Sequence, residues 1–372
     1  MTTLLFGTPV HFGFGLSSML PAELKKLGGS KPLFVADKGV IAAGVFRQAT
    51  AACEAPDALH VFDDIPVNPN EAAALAGAEM YRTLGCNAVV GIGGGASLDL
   101  AKAIAVLATN APPLWNYCNR HPQPSAIVNA PPLILMPTTS GTGSEVGRSA
   151  VIVFNNGIKA GVRCPDIVSL AICDPELTMG LPARVTATTG MDALSHCIET
   201  FCSATVNPPA DAIALDGMER VFRFLETAVK DGANRDARWN MMMGSLEGAM
   251  CFQKGMGAVH ALSHPLGALG FHHGTLNAIL LPHVLAYNQA WLGEKAAMIA
   301  QKANAPANSN VAELIHALNR AIDIPLTLEA IGVSEASLDE VAAHALDDNA
   351  HKTNPRKMEK QDYLNILTAA YR

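Results

Sequence analysis

Histidine residues are concentrated in one short stretch of the chain. Only 12 histidines occur among 372 residues, yet residues 260–273 contain four of them. His260 and His264 are four residues apart, a spacing that places both imidazoles on one face of a helix. The segment lacks the glutamate of an H-E-x-x-H motif, which disfavours a metalloprotease. Pro265 follows directly, and we therefore expect His264 to lie at or near a helix end or kink.

A second group of chemically active side chains lies upstream, in a segment with helical periodicity. Asp192, His196 and Glu199 form a polar stripe beside an apolar one. An aspartate and a histidine at i, i+4 can hold one metal ion, although most such pairs are surface pairs or simple hydrogen-bonded pairs. Asp192, His196 and two of the later histidines would supply three nitrogen ligands and one oxygen ligand, a set that suits Fe²⁺ or Zn²⁺.

A glycine-rich turn predicts an anion-binding site in the first half of the chain. Gly93, Gly94 and Gly95 follow an apolar run and precede the helical pattern of residues 98–107. Glycines let the backbone approach a phosphate, and the N-terminus of the following helix offers free N–H groups. The spacing fits neither G-x-G-x-x-G nor the P-loop, so a simple tight turn is the alternative.

Two further turns support the prediction of a nucleotide-binding site. Asp37 ends a strand-like run, where its carboxylate could accept the ribose hydroxyls of NAD and repel the 2′-phosphate of NADP. The alternative is that Asp37 merely begins a turn with Lys38 and Gly39. Residues 138–144 form a third turn, rich in Gly and Thr, after another apolar run. Three such turns at one sheet edge indicate a bound nucleotide.

The elements that must position these residues differ between the two halves of the chain. Residues 31–37, 87–92 and 132–137 are apolar runs separated by helix-length segments, which predicts βαβ units and a parallel sheet. After about residue 182 the apolar spacing becomes helical, with long stretches at 186–203, 210–231, 238–264 and 311–321. We therefore expect an α/β N-terminal domain with a parallel Rossmann-like sheet (residues 1–180, dinucleotide-binding) and an all-α C-terminal domain (residues 181–372, metal-binding and catalytic).

Composition excludes several other classes of protein. Hydrophobic residues make up 49% of the chain and charged residues 16%, so the chain is not disordered. The net charge of −7 and an aromatic content of 5% argue against nucleic acid and anionic membranes as partners. The eight cysteines are scattered without a C-x-x-C pair, and neither a signal peptide nor a membrane-length apolar run is evident. We expect a cytoplasmic protein that acts on a small molecule.

These residues together resemble a known enzyme family. Over essentially its whole length the sequence is similar to the iron-containing (group III) alcohol dehydrogenases, which have a dehydroquinate synthase-like architecture. The resemblance is carried by residues 93–102, 137–145, 174–177, 189–196, 260–267, 273–274 and 353–356. It implies an NAD-dependent and divalent-metal-dependent oxidoreductase that interconverts a primary alcohol and its aldehyde, acting as a homodimer or larger homo-oligomer.

The resemblance also implies roles for individual residues. The metal ligands would be Asp192, His196, His260 and His273, and His264 would relay a proton. Contacts with the cofactor are implied for Asp37, Asn68, Gly94, Gly95, Ser97, Asp99, Thr138, Thr139, Thr142, Ser144 and Lys159. The sequence departs from the family at Ala96, where a serine is usual and where Ser97 could substitute, and at His272, which could compete with His273 for the metal.

The resemblance implies the substrate less specifically than it implies the enzyme family. Residues 207–211, 236–238 and 252–255 look most like the 4-hydroxybutyrate dehydrogenase branch, which would use 4-hydroxybutyrate and succinate semialdehyde. An acid substrate needs a cation, for which Arg148, Lys159 and Arg163 are candidates. The alternatives are a dehydroquinate synthase-like or glycerol dehydrogenase-like enzyme of the same superfamily, and a non-catalytic nucleotide-binding protein.

Overall fold

The chain forms two compact units. The computed structural model describes residues 7–55, 58–164 and 166–372. Within that part of the chain, the unit that we name the sheet unit comprises residues 7–139 and Gly143–Met179. The other, the helical unit, comprises Ser140–Thr142 and Gly180–Arg372. The Gly/Thr-rich turn at 138–144 is thus divided, with Ser140–Thr142 in the helical unit and the other four residues in the sheet unit.

The sheet unit contains eight strands among its described residues. They are β1 (Val10–Phe12), β2 (Pro32–Val35), β3 (His60–Phe62), β4 (Ala88–Gly93), β5 (Leu133–Pro137), β6 (Ser149–Val153), β7 (Lys159–Arg163) and β8 (Leu170–Cys173). Six of them form a parallel sheet in the order β1-β8-β5-β4-β2-β3, and β6 pairs with β7 in a separate antiparallel ribbon. The predicted parallel sheet is confirmed, and the three apolar runs correspond to β2, β4 and β5.

Helices cover both faces of this sheet. They are α1 (Leu20–Lys26), α2 (Lys38–Ala42), α3 (Val45–Ala49), α4 (Glu71–Leu84) and α5 (Gly95–Thr109). Alternate strand residues enter two separate apolar clusters: Val89 and Leu133 pack with residues of α4 and α5, and Val90 and Ile134 pack with residues of α1 and α3. Burial on both faces explains why these strands are continuous apolar runs rather than alternating ones.

The strand order places the predicted nucleotide residues at a switch point of the sheet. After β2 the chain proceeds to β3 on one side, and after β4 it proceeds to β5 on the other. Ligands of such sheets bind outside the carboxyl ends of the two strands where this reversal occurs. Asp37 follows β2, the glycine turn follows β4, and Thr138 follows β5 at that same edge.

The helical unit contains nine α-helices among its described residues. They are α6 (Ala183–Cys202), α7 (Pro208–Lys230), α8 (Arg235–Met250), α9 (Ala258–Ala268), α10 (His273–Leu292), α11 (Glu294–Lys302), α12 (Val311–Ala321), α13 (Leu338–Asp347) and α14 (Lys360–Tyr371). The central helix is α6, which packs against α7, α8 and α10 and is buried on nearly every face. No helix in the described ranges is both long and apolar enough to span a membrane.

Two details of the helical unit concern sequence-based expectations. The helical pattern of residues 238–264 is not one helix, because α8 ends at Met250 and Gly255 adopts a φ of 94° before α9 begins. Such a backbone conformation is accessible to glycine and interrupts any helix. Helix α9 continues past Pro265 to Ala268, so His264 lies one turn before the end of a proline-containing helix, near the end as expected.

Candidate metal centre

Helix α6 carries the first two residues of the centre. Asp192 and His196 are one helical turn apart, and both side chains are buried. The spacing places them on one side of the helix, as the i, i+4 pattern predicts. Nε2 of His196 lies 3.5 Å from Oδ1 of Asp192. The helix therefore presents a carboxylate and an imidazole to the same point.

Two other helices bring histidines to that point. His260 lies in the first turn of α9, and His273 is the first residue of α10. Their Nε2 atoms lie 3.8 Å and 3.7 Å from Oδ1 of Asp192. One ligand atom from each of the four residues lies within 4.8 Å of the other three. The structure thus brings together the four side chains that the resemblance implies as ligands.

The donor set fits a divalent transition metal ion. A tetrahedral site with bonds of about 2.1 Å separates its ligand atoms by roughly 3.4 Å. The three distances from Oδ1 of Asp192, 3.5 to 3.8 Å, are close to that separation. Three imidazole nitrogens with one carboxylate oxygen suit Fe²⁺ and Zn²⁺. The residues present are therefore able to hold either ion.

Glu199 orients one of these histidines. Its Oε2 accepts a hydrogen bond of 2.6 Å from Nδ1 of His260, and its Oε1 accepts one of 2.7 Å from the backbone N–H of Val259. A proton on Nδ1 leaves the lone pair on Nε2, which faces Asp192. The sequence places Glu199 on the same stripe as Asp192 and His196, but the structure gives it a different contact from theirs.

The protonation of the centre follows from burial and from these contacts. Burial, reinforced by the nearby His260, lowers the pKa of His196 well below its usual range, so this imidazole is neutral and able to bind a cation. Burial also raises the pKa of Asp192, while His260 and a hydrogen bond from Asn277 act in the opposite direction. Burial alone would lower the pKa of His260, but the hydrogen bond and charge of Glu199 raise it.

His264 lies beside the four donor residues but is not one of them. Its ring stacks on that of His273, with centroids 5.5 Å apart and planes 11° apart. Its side chain is 19% exposed, whereas those of His196 and His260 are at most 5% exposed. The ring of His264 is therefore partly accessible to water.

Asp348 contacts His264, and sequence analysis did not identify it. Its Oδ2 accepts a hydrogen bond of 2.8 Å from Nδ1 of His264, and its Oδ1 accepts one from the backbone N–H of Ala350. Although burial would raise the pKa of Asp348, the charge and hydrogen bond of His264 hold it below its usual range. The sequence signal was its position before a short turn, where aspartate commonly caps the backbone.

His272 and His273 have different surroundings although they are adjacent. Nδ1 of His272 accepts a hydrogen bond of 3.3 Å from the backbone N–H of Thr275 and so caps the start of α10. The ring of His273 faces Asp192 and stacks on His264. The group of four donor residues includes His273 and not His272.

In the sheet unit, the carboxyl ends of β2 and β4 bring Asp37 to the glycine turn. Oδ2 of Asp37 accepts a hydrogen bond of 3.0 Å from the Ser97 hydroxyl, and Oδ1 accepts one from the backbone N–H of Val40, which caps α2. A Cβ on Gly93, whose φ is 151°, would lie 2.5 Å from Oγ of Ser97. Gly94 is the N-cap residue of α5 and has no side chain to cap the helix, so that the first N–H groups of this long helix are able to bind an anion.

The other implied cofactor residues form three groups. Oγ of Ser144 donates a 2.6 Å hydrogen bond to Asp99, and the buried Lys102 contacts both side chains. Lys159 donates a hydrogen bond to Asn68. Three residues lie near the glycine turn. Gly95 is the first residue of α5, Thr139 would lie 3.4 Å from a Cβ on Gly94, and the N–H of Thr138 donates a hydrogen bond to the carbonyl of Gly93. Thr142 belongs to the helical unit.

Comparisons with known proteins show which families and which solved structures this chain is similar to. Residues 7–175 match the family described as "Iron-containing alcohol dehydrogenase", and residues 186–371 match "Fe-containing alcohol dehydrogenase family, C-terminal". A 4-hydroxybutyrate dehydrogenase of Cupriavidus necator is 45% identical over 379 residues, covering 99% of each chain. A crystal structure of a 1,3-propanediol oxidoreductase superposes with a TM-score of 0.93 at 33% identity, covering 100% of each chain.

A further solved structure is similar and contains a dinucleotide. It is a sulfoacetaldehyde reductase from Bifidobacterium kashiwanohense in complex with NAD⁺, with a TM-score of 0.89 and 26% identity. The alignment covers 100% of this chain and 98% of that one. With both family matches and the full-length relative, the chain belongs to the iron-containing alcohol dehydrogenase family and is an oxidoreductase that acts on CH–OH groups.

Proposed function

We propose that this protein interconverts a primary alcohol and its aldehyde, using NAD⁺ and a divalent metal ion. The observation that carries this proposal is the convergence of four donor atoms from Asp192, His196, His260 and His273 within 4.8 Å. The relative with 45% identity favours 4-hydroxybutyrate and succinate semialdehyde as the substrate pair. A site built for hydrogen bonds alone would not need three imidazoles around a buried carboxylate.

The helical unit would supply the metal chemistry. Asp192, His196, His260 and His273 would hold Fe²⁺ or Zn²⁺, and Glu199 would keep Nε2 of His260 turned towards the centre. When bound, the ion supplies a Lewis acid that makes an alcohol oxygen more acidic. Asp192, His196 and His260 are buried, and this limits competing water and strengthens the interaction of the site with a charged oxygen.

His264 would move the proton of the alcohol. Asp348 holds the proton on Nδ1 of this imidazole, which leaves the lone pair on Nε2. In that tautomer Nε2 can accept the alcohol proton, and the partly exposed ring can return it to water. Asp348 would act as a positioning residue because it touches His264 and not the reacting atoms.

The sheet unit would bind the cofactor, which supplies the acceptor for hydride. The first N–H groups of α5, at Gly95 and beyond, would bind the pyrophosphate. The Asp37 carboxylate would accept the ribose hydroxyls and disfavour the 2′-phosphate of NADP. Because the Ser97 hydroxyl donates to Asp37, we propose that Ser97 positions this carboxylate instead of replacing the phosphate-binding serine absent at Ala96.

The test is a substrate panel with metal analysis on the same sample. Metal-free protein is loaded with Fe²⁺ without oxygen, or with Zn²⁺, and NADH fluorescence is followed with 4-hydroxybutyrate, 1,3-propanediol, butanol and ethanol. We expect NADH formation that a chelator abolishes, and the highest kcat/KM with 4-hydroxybutyrate. NADH formation that is unchanged by complete metal removal would contradict the proposal. A higher kcat/KM with another alcohol would contradict only the substrate assignment.

We also propose that the protein acts as a homodimer or larger homo-oligomer in the cytoplasm. This proposal rests on the family and on no contact within the single chain. Light scattering on the metal-loaded protein gives the mass of the particle, and a mass equal to that of one chain would contradict it.

A further inference from the structure

The side-chain amide of Asn277 lies among the donor atoms of the metal centre. Asn277 is on α10, one turn after His273, and its side chain is fully buried. Its Nδ2 is 2.7 Å from Oδ1 of Asp192, 3.1 Å from Nε2 of His273 and 3.2 Å from Nε2 of His260. Within the described part of the chain, its Oδ1 has no hydrogen-bond partner. The amide nitrogen of Asn277 thus contacts three of the four donor residues.

These three contacts are not equivalent when an ion is to be bound. An amide nitrogen has two hydrogens, which cannot make three well-directed hydrogen bonds. An Nε2 atom that accepts a hydrogen bond from the amide uses its one lone pair, and a metal ion needs that same lone pair. A carboxylate oxygen has two lone pairs, so Oδ1 of Asp192 can accept a hydrogen bond from Asn277 and bind an ion at the same time. The contact with Asp192 is therefore the one that persists in the metal-bound protein.

We propose that Asn277 is a positioning residue of the metal centre, whose amide holds Oδ1 of Asp192 towards the imidazoles of His196 and His260. This inference rests on the proposed metal site. Asp192 is buried, so water is not available to orient its carboxylate, and Asn277 donates to it across 85 residues of sequence. Groups that hydrogen-bond to metal ligands typically change metal affinity 10- to 100-fold. We expect an effect of about that size here.

The first test compares Zn²⁺ affinities of matched variants. Asn277→Leu nearly preserves volume and removes the donor, and Asn277→Ala is a second variant in case the leucine disturbs packing. The control is Asn319→Leu, because Asn319 is also buried and donates to the backbone of Ala278 on the same helix. In a competition titration against a chromogenic chelator, we expect roughly 10- to 100-fold weaker Zn²⁺ binding for the Asn277 variants and wild-type affinity for the control.

A second measurement separates positioning from a loss of stability. The visible absorption spectrum of the Co²⁺-loaded protein depends on the arrangement of the ligands, and a general loss of stability does not change it. We expect altered Co²⁺ bands in the Asn277 variants and unaltered bands in Asn319→Leu. In an Asp192→Asn background, Asn277→Leu should have no additional effect on Zn²⁺ affinity, because no carboxylate remains to be held.

The outcomes distinguish this inference from the proposed function. If the wild-type protein binds Zn²⁺, and a folded Asn277 variant keeps both the wild-type Zn²⁺ affinity and the wild-type Co²⁺ spectrum, only the role of Asn277 is overturned. Wild-type protein that binds no ion would overturn the metal centre and, with it, this role. Circular dichroism in the presence of chelator identifies the variants that are folded.

Discussion

Nδ1 of His264 donates a hydrogen bond of 2.8 Å to Oδ2 of Asp348, although 84 residues separate them in sequence. A carboxylate can only accept, so this contact determines which ring nitrogen carries the proton. The ring also stacks on His273, one of the four donor residues. The partly exposed imidazole of His264 therefore contacts a residue of the metal centre, and Asp348 determines its tautomer.

Replacing Asp348 tests this link. In Asp348→Asn the amide nitrogen can donate to Nδ1 and so favours the opposite tautomer, which leaves no lone pair on Nε2. We expect kcat to fall roughly 10- to 100-fold, because general acid–base catalysis typically contributes 100-fold or more. Metal content should not change. The measurement is steady-state kinetics with metal analysis of each sample.

The controls for Asp348 are chosen from the same segment. Asp347→Asn changes an exposed neighbour and should leave kcat at the wild-type value. In a His264→Ala background, Asp348→Asn should cause no further loss if it acts through the imidazole. Full activity of His264→Ala itself would show that the proton takes another route.

The adjacent histidines provide a paired test of the ligand set. His273→Ala removes a donor atom, and we expect the purified protein to contain much less than one ion per chain and to lose NADH formation. His272→Ala removes a cap at the start of α10 and should retain the metal, with a loss of stability on the order of 1 kcal/mol. Elemental analysis and thermal unfolding separate the two effects. Metal lost from the His272 variant and kept in the His273 variant would reverse the assignment.

The carboxylate at the end of β2 predicts cofactor preference. Asp37→Asn keeps an oxygen that can accept from the Val40 N–H and gains an amide that can donate to the Ser97 hydroxyl, but it removes the negative charge. We expect the ratio of kcat/KM for NADP⁺ to that for NAD⁺ to rise at least about 10-fold, equivalent to about 1.4 kcal/mol. An unchanged ratio would mean that Asp37 does not face the ribose. Ser97→Ala, in which the carboxylate loses one partner, should weaken NAD⁺ binding without adding activity with NADP⁺.

The carboxyl pair of Glu247 and Asp216, outside the four donor residues, predicts a pH dependence of stability. Burial, with the neighbouring Asp216, raises the pKa of Glu247 to about 9. Because the unfolded chain ionises near the ordinary value, this group contributes full stability at low pH and loses that contribution as the pH rises towards 9. Glu247→Gln cannot ionise. We expect its unfolding midpoint, measured with urea, to decrease less than that of the wild type between pH 5 and pH 8.5, and equal decreases would contradict this.

Local sequence patterns determined the elements and part of the site. Apolar runs predicted β2, β4 and β5, because side chains buried on both faces of a parallel sheet must all be apolar. The i, i+4 spacing predicted that Asp192 and His196 share one side of α6, since this depends only on helical geometry. The ordered motifs identified the family, which the comparisons confirmed.

Only the tertiary structure decided how the elements meet. Glu199 with His260, Asn277 with Asp192 and Asp348 with His264 are separated by 61, 85 and 84 residues. Helical periodicity states which side of a helix a residue occupies, but the pairing of two helices depends on how their side chains interlock over the whole core. For that reason the candidate ligands could be named from sequence, whereas the groups that orient them could not.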